Sequence, residues 1–453
     1  MRNEALLLTA PLLLLIPHST GLAPSTSLPQ RVLNAVLESP LYDAVLVPQA
    51  RRTMVKTAEE NGIAWGPALE WIQRSSRWTD RELAQWVPLD FEYPWYYRKK
   101  FHAYEMGNLC WDAAHEQELA GKAVGQRNFP GNGPGAAGED AFRDAFVQAL
   151  ENELGAGESA FSSRGELRSH LIVDMGCGTG TSTRRLARRF PGSEFRFVGI
   201  DLSPHFLSVA DFLQSKNKPQ VRQEHRSMAR MGVGSEGIWR PDTSTELAEQ
   251  WVENIVNDDR IKFVHGDIAP PALNSRDDSP ASQNLPEGCA SVVNIDLVIH
   301  ELPPSASKQA FYEAKRLLRK PSPETSDLGG ELWICEMDFA TPGYRKLRSN
   351  PLLFSLIRAT EPFLDEYAEY QAGGTVGEQS GLLRDLRDAG FQDIRIAAAT
   401  GRHFALVARL GSSSVDGNGV VDMRFDAQGR HLKKDTHLKT WESKKAASPT
   451  DAN

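Results

Sequence analysis

A chain of 453 residues is long enough for two domains, or for one α/β domain with substantial additions. Its formal net charge of -8 argues against a phosphate-binding surface over the whole molecule, so no nucleic acid partner is expected. Cys110, Cys177, Cys289 and Cys335 stand too far apart for a C-x-x-C metal signature or a disulfide framework, and read as reduced, mostly buried thiols.

Met1-Arg2 is followed by an apolar run from Ala5 to Ile16, interrupted by Thr9 and Pro11. The run is too short to span a bilayer comfortably. A charged start, a short apolar centre and Ser19-Thr20-Gly21 ahead of Leu22-Ala23-Pro24 have the form of a secretory signal, so residues 1–30 are expected to be a targeting presequence. Leu22-Ala23-Pro24 also resembles the start of the transit peptide in algae whose plastids are reached through the secretory route, with Leu where an aromatic residue is more usual. The expected destination is the plastid, with the secretory pathway and the cytoplasm as alternatives and no transmembrane span in the mature protein.

Residues 31–126 read as an N-terminal helical cap, dense in aromatics at Trp65, Trp71, Trp78, Trp86, Trp95 and Trp111. Residues 127–168 read as a linker, rich in Pro, Gly and Ala from Phe129 to Glu139, and a helix from Asp140 to Leu154. From Ser169 short strands alternate with helices, the sign of a parallel sheet covered on both faces. Strands are expected at Leu171 to Met175, Phe195 to Ile200, Ile261 to Val264, Ala290 to Ile295 and Glu331 to Cys335. Helices are expected at Thr181 to Arg189, Pro204 to Gln214, Ser305 to Arg319 and Glu378 to Ala389, with Pro204 suited to a first turn. An insertion from Lys216 to Asp258 carries a helix near Thr245 to Val256. Ile394 to Ala398 and His403 to Arg409 would close this 169–410 domain with an antiparallel hairpin. In residues 411–453, Val420 to Phe425 and Arg430 to Thr440 flank a turn and suggest a small C-terminal hairpin before a disordered tail.

The strongest chemical signal is Val173-Asp174-Met175-Gly176-Cys177-Gly178-Thr179-Gly180, between a strand and a helix. Glycines there let the backbone turn sharply and approach a ligand beside a helix N-terminus. Asp201 closes the second strand, where a carboxylate can accept both hydroxyls of a ribose. In Gly266-Asp267-Ile268, Asp267 suits the exocyclic amine of adenine and Ile268 covers the ring, while Asp296 follows the fourth strand. All four motifs converge at the C-terminal strand ends, where open α/β sheets bind ligands.

These motifs resemble the class I S-adenosylmethionine-dependent methyltransferases over Leu171 to Leu410. The resemblance implies an α/β fold with a Rossmann-like methyltransferase sheet, mostly parallel with an antiparallel last strand. It implies S-adenosyl-L-methionine as cofactor, with Gly176, Cys177, Gly178 and Gly180 around the methionine part and Asp174 helping to hold its ammonium. Asp201 and Leu202 would serve the ribose side, Asp267 and Ile268 the adenine, and Asp296 the same edge. A narrower resemblance, on Tyr96 to Trp111 and Leu353 to Tyr367, is to plant and cyanobacterial proteins of poorly defined substrate, and it implies that both segments lie near the acceptor site. The acceptor is expected to be a small molecule.

If the acceptor must lose a proton, a general base is needed, and His102, Tyr104, His300 and Glu301 are the candidates. His300 reads equally well as a structural histidine. The charge run Arg184, Arg185, Arg188 and Arg189 reads as a solvated helix face, and no metal-ligand cluster is visible. A nicotinamide-dependent oxidoreductase shares the glycine turn, but the third glycine of G-x-G-x-x-G would fall at Thr181, and Tyr312 and Lys315 are spaced by three where the short-chain reductase pattern needs four. A non-catalytic cofactor-binding module for interaction or assembly is the rival from another class. The presequence is tested by fusing the first 50 or so residues, longer than a secretory signal alone, to a fluorescent protein in an alga with a secretory-route plastid. Plastid fluorescence is expected, and a cytosolic signal contradicts it.

Overall fold

The strand His170–Met175 (β1) lies inside the sheet with Ile172, Val173 and Met175 fully buried, as a strand covered by helices on each side requires. The computed structural model describes residues 47–425, apart from 64, 75–76, 89, 103, 130–136, 162–168, 215–257, 271–284, 323–328, 342–343, 345–360, 373–379 and 412–418. The presequence, the 245–256 helix and the second arm of the 420–440 hairpin therefore lie outside the described residues.

Eight strands form one sheet in the order β3-β2-β1-β4-β5-β7-β6-β8. They are β1, Phe195–Asp201 (β2), Ile261–His265 (β3), Val292–Asp296 (β4), Glu331–Met337 (β5), Asp393–Ala398 (β6), His403–Arg409 (β7) and Val420–Asp422 (β8). Val173 pairs in parallel with Val198 on one side and Val293 on the other, and β7 runs antiparallel between β5 and β6. This is the Rossmann-like arrangement expected, with the 394–409 hairpin in place. At the C-terminus, Val420–Asp422 is a strand that pairs in parallel with β6 at the sheet edge.

Strand order reverses between β1 and β4, which opens a crevice at their C-terminal ends. One face of the sheet packs on Pro304–Leu317 (α8), Leu364–Ala372 (α9) and Gly381–Ala389 (α10), joined around Phe311, Tyr367 and Leu386. The other packs on Thr181–Arg189 (α6) and Ala137–Gln148 (α5), which continues as one wide π turn through Glu153. Phe142, Phe146, Leu150 and Leu154 enter that core, so the helix expected from Asp140 to Leu154 is part of the sheet's packing.

The cap begins with Val47–Glu60 (α1), Trp65–Gln73 (α2) and Asp80–Leu83 (α3), and returns as Trp111–Asn128 (α4). Trp65, Ile72, Ala114 and Leu119 pack with Phe206, Val209 and Leu213 of Pro204–Gln214 (α7), which seats the cap on the sheet domain. It is less helical than expected. Residues 91–100 contain no helix and lie as an aromatic strap, where Pro94 and clustered rings disfavour a regular helix. Among the described residues no helix is long and apolar enough to cross a membrane.

Glu331, fully buried at the start of β5, ties the segment around Gly157 and Ser159 to the sheet. It accepts from Gly157 N at 2.7 Å, Ser159 Oγ at 2.8 Å, Trp333 Nε1 at 2.8 Å and Arg409 Nε at 3.1 Å. Arg409 in turn reaches Asp393 and the Gly155 carbonyl. Removing one partner of a buried pair leaves the other charge uncompensated. Glu331→Ala should therefore cost about 3–5 kcal/mol in denaturant unfolding, and a loss below about 1 kcal/mol would contradict this role.

Candidate active site

The site starts at the turn between β1 and α6, where Gly176, Gly178 and Gly180 have φ of 77°, 55° and 83°. At Gly178 an added Cβ would lie 2.4 Å from the Gln117 side chain, so glycine is what lets the turn pass beneath α4. One Asp174 oxygen accepts from the Ser182 and Thr183 hydroxyls at 2.6 Å, and the other from Asn294 Nδ2 at 2.8 Å. These neutral donors fasten turn, helix and β4 together. Cys177 is buried, and desolvation pushes its thiol well up, so it lines the turn as a neutral group.

Asp201 is the last residue of β2. Its Oδ2 accepts the Gly178 N–H at 2.8 Å, while Oδ1 accepts the Ser203 N–H at 2.8 Å and the Tyr97 hydroxyl at 3.2 Å. Two residues past β3, Asp267 Oδ1 accepts from Ala269 N at 2.8 Å and from the Tyr96 hydroxyl at 3.4 Å. Adjacent tyrosines of the strap thus reach both acids. Burial raises the pKa of each aspartate, and these hydrogen bonds oppose the rise. Leu202 and Ile268 are buried beside them, and Phe91 packs edge-on against His265 at 5.2 Å. Asp296 lies at the same edge but is ion-paired with Arg143 of α5, leaving its Oδ1 buried without a protein partner among the described residues.

An ion network holds the cap on this turn. Glu118 of α4 accepts from the Thr181 hydroxyl, from Arg184 Nη2 at 2.7 Å and from Lys122 at 3.3 Å. Lys122 also meets Glu139, which faces Arg185 and Arg143. The arginine run is therefore not the solvated face expected of it. Arg184 is only 2% exposed and also donates to the Thr179 carbonyl, and Arg185 is drawn to Asp140 and Glu139. Arg188 and Arg189 do face solvent. The difference arises because α4 and α5 bring carboxylates onto the first half of the helix.

Three of the four candidate bases come together. His102 Nε2 lies 2.8 Å from Glu361 Oε1, and His300 Nδ1 lies 2.8 Å from Glu336 Oε1. Burial works against a charged His300, yet Glu336 prevails and raises its pKa to about 10. His102 is half-exposed; packing around it opposes charge and Glu361 raises it. Glu301 stands among these groups, raised to about 7 by burial and by Glu361 and Glu336, with the two histidines acting in the opposite sense. Tyr104 is elsewhere, which corrects its candidacy. Its hydroxyl donates to Glu116 at 2.6 Å, Glu116 pairs with Arg51, and the ring packs in the cap's core.

Sequence reasoning missed Gln117, Glu118, Arg143 and Glu336 as parts of the site, although Tyr96, Tyr97 and Glu361 fell in segments already singled out. Gln117 Oε1 accepts the Thr179 N–H at 2.6 Å, beside Glu118 on the same turn of α4. A polar Gln-Glu pair next to the alanines of a helix that packs on α7 was the available signal.

Residues 172–238 match a family model described as a methyltransferase domain. No curated protein matches the chain in a sequence comparison. Among solved structures, an O-methyltransferase family protein from Burkholderia thailandensis is 18% identical with a TM-score of 0.33, the match covering 66% of this chain and 62% of that one. An arsenic(III) S-adenosylmethionine methyltransferase from Chlamydomonas reinhardtii is 18% identical, with 60% and 73% covered and a TM-score of 0.28. A SAM-dependent methyltransferase from Aquifex aeolicus is 13% identical, with 60% and 97% covered and a TM-score of 0.30. This chain thus spans less than two thirds of the first of them. Superpositions of this size add nothing to the topology described above.

Glu118 yields a pH prediction. Burial opposes its ionisation, but Arg184, Lys122 and the Thr181 hydroxyl hold its carboxyl well below the ordinary glutamate value. A depressed folded value adds stability that is full above the unfolded value of about 4.3 and is lost as pH falls through the folded one. Glu118→Gln should lower the thermal midpoint at neutral pH, with the gap to wild type narrowing on acidification. A gap that stays constant into acid would contradict the ion-pair account.

Proposed function

We propose that this S-adenosylmethionine-dependent methyltransferase passes its methyl group to a small-molecule acceptor, reached at the strand ends beneath the aromatic strap. The observation that carries the reading is the convergence of the glycine turn, Asp201 and Asp267 on one sheet edge, with Tyr97 and Tyr96 on the two carboxylates.

The residues present fit the cofactor. When bound it supplies an electrophilic methyl on a cationic sulfonium. Asp201, held by two backbone N–H groups, would take the ribose hydroxyls, and Asp267 the adenine amine, with Leu202 and Ile268 against the ring. Gly176, Gly178 and Gly180 give the turn its positive φ, and the methionine part would lie along it. Asp174 and Asp201 hydrogen-bond only to neutral donors among the described residues, with Arg143 acting on Asp174 by charge alone, so both carboxylates face the place where a cation would sit. The strap's rings exclude water over the same edge, which strengthens every electrostatic interaction beneath them.

Calorimetry should register binding of S-adenosylhomocysteine and none comparable for NADP. Asp201→Ala should weaken that binding by about 1.5–3 kcal/mol, the range for losing hydrogen bonds to a charged group. In an extract given methyl-labelled cofactor and the enzyme, label should enter the small-molecule fraction. Tight NADP binding, or label confined to protein or nucleic acid, overturns the reading.

A further inference from the structure

Asp201 has fewer acceptor positions to offer a ribose than a bare carboxylate would. A carboxylate has about four such positions, two on each oxygen. On Asp201, Oδ2 accepts the Gly178 N–H at 2.8 Å, while Oδ1 accepts both the Ser203 N–H at 2.8 Å and the Tyr97 hydroxyl at 3.2 Å. Oδ1 is therefore full. A ribose diol brings two hydroxyls to the single position left on Oδ2, so one of the three donors has to yield.

Two of them are locked by the fold. The Gly178 N–H belongs to the glycine turn, where Gly178 has φ of 55° and stands against Gln117 of α4. Ser203 opens α7, and its hydroxyl accepts from Phe206 N at 3.2 Å and donates to the Asn108 carbonyl at 2.6 Å, which ties it to the helix and to the cap. Tyr97 has no such fixture. It lies on the strap, which has neither helix nor strand over residues 91–100, and its own N–H is bonded locally to the Pro94 carbonyl at 3.0 Å. The strap is pinned to either side of it. Trp86 Nε1 donates to Ser208 Oγ at 2.9 Å, Phe91 packs on His265, Trp95 packs on Phe363 at 5.8 Å, and His102 meets Glu361 at 2.8 Å. The phenol can leave Asp201 while the cap stays in place.

Its bond is also a weak one. Hydroxyl donors well placed on a carboxylate lie at about 2.5–2.7 Å, against 3.2 Å for Tyr97 and 3.4 Å for its neighbour Tyr96 on Asp267 Oδ1. Burial first, and then the charges of Asp201 and Glu301, push the Tyr97 phenol well above its ordinary pKa. It keeps its proton and remains a neutral donor. Asp201 is buried, and a buried carboxylate oxygen without a donor is costly, so a neutral hydroxyl there has a use. A ribose hydroxyl is a donor of the same kind. Exchanging one for the other changes neither the charge nor the number of bonds at Oδ1.

We propose that the Tyr97 hydroxyl is a placeholder for one ribose hydroxyl of the cofactor, holding Asp201 Oδ1 until the nucleoside arrives and then giving up that position. The placeholder rests on the methyl-transfer reading above and adds to it a competitor built into the strap. Its effect runs opposite to that of an ordinary site contact. Tyr97 lowers affinity for the cofactor, because each binding event breaks its bond to Asp201, and the bond forms again as the spent cofactor departs. The buried carboxylate keeps its donors through both exchanges.

The test is calorimetry on the full-length protein with S-adenosylhomocysteine, adenosine and 2′,3′-dideoxyadenosine as probes, the last lacking both ribose hydroxyls. Tyr97→Phe keeps the ring and removes the competing O–H. It should bind S-adenosylhomocysteine and adenosine about 3- to 10-fold more tightly than wild type, the worth of one hydrogen bond, and dideoxyadenosine with unchanged affinity. The ratio of adenosine to dideoxyadenosine affinity is read within each variant, so a partly unfolded preparation leaves it intact. Tyr104→Phe, which removes a phenol O–H inside the cap, should keep the wild-type ratio. Equal or weaker binding of S-adenosylhomocysteine by Tyr97→Phe with an unchanged ratio means that the phenol only supports the carboxylate, and overturns the placeholder. An equal gain for both nucleosides overturns it too. If neither wild type nor variant binds S-adenosylhomocysteine, the methyl-transfer reading itself fails; binding by both without a gain sinks the placeholder alone.

Discussion

The contact of Glu118 with Arg184 and the Thr181 hydroxyl governs much of this molecule. A carboxylate and a guanidinium taken out of water are costly unless each is paired and its remaining polar atoms are satisfied. Here they are satisfied by two structures at once, the first turn of α6 and the helix α4 that precedes the sheet by some fifty residues in sequence. The pair can form only when the cap lies on the glycine turn, so the ion network specifies one placement of the cap. Through Lys122, Glu139 and Arg143 the same network extends to Asp296 at the end of β4.

From that placement follows the position of the strap. With α4 fixed over the turn and α1 and α2 packed against α7, residues 91–100 cross the ends of β2 and β3, and the hydroxyls of Tyr96 and Tyr97 meet Asp267 and Asp201. The cradle is thus made twice over, once by strands that any sheet of this topology has and once by a cap particular to this chain. His102, at the far end of the same strap, is carried to the opposite side of Tyr97, toward Glu301 and Glu361.

The carboxylates of the site divide by environment. Glu118 is buried among cations and hydroxyls that keep it ionised. Glu336 accepts from a histidine and from backbone N–H groups of residues 300 and 337. Asp201 and Asp267 are held by backbone donors and tyrosines, which orient the carboxylates. The Glu301 carboxylate makes no hydrogen bond among the described residues, and burial raises it to about 7, with His102 and His300 acting against the rise. Burial and neighbours thus separate the affinities of one kind of side chain for a proton.

By itself the sequence determined what depends on local chemistry. Strand and helix alternation, the glycine turn that needs positive φ, and the acids at strand ends are set by periodicity and by residues whose conformational freedom is special, and each was legible to within a few residues. The fate of Arg184 was not legible, since a run of arginines at helical spacing has the same pattern whether water or a buried glutamate faces it. Nor was the difference between Tyr104 and Tyr97, seven residues apart in one aromatic segment, of which one bonds Glu116 within the cap and the other Asp201 at the end of β2. Glu118, Glu336 and Glu361 lie 66, 36 and 259 residues from Arg184, His300 and His102, the side chains they bind. Only the tertiary structure brings such groups within hydrogen-bond distance, because the energy that pairs them is electrostatic and arises when folding removes the water between them.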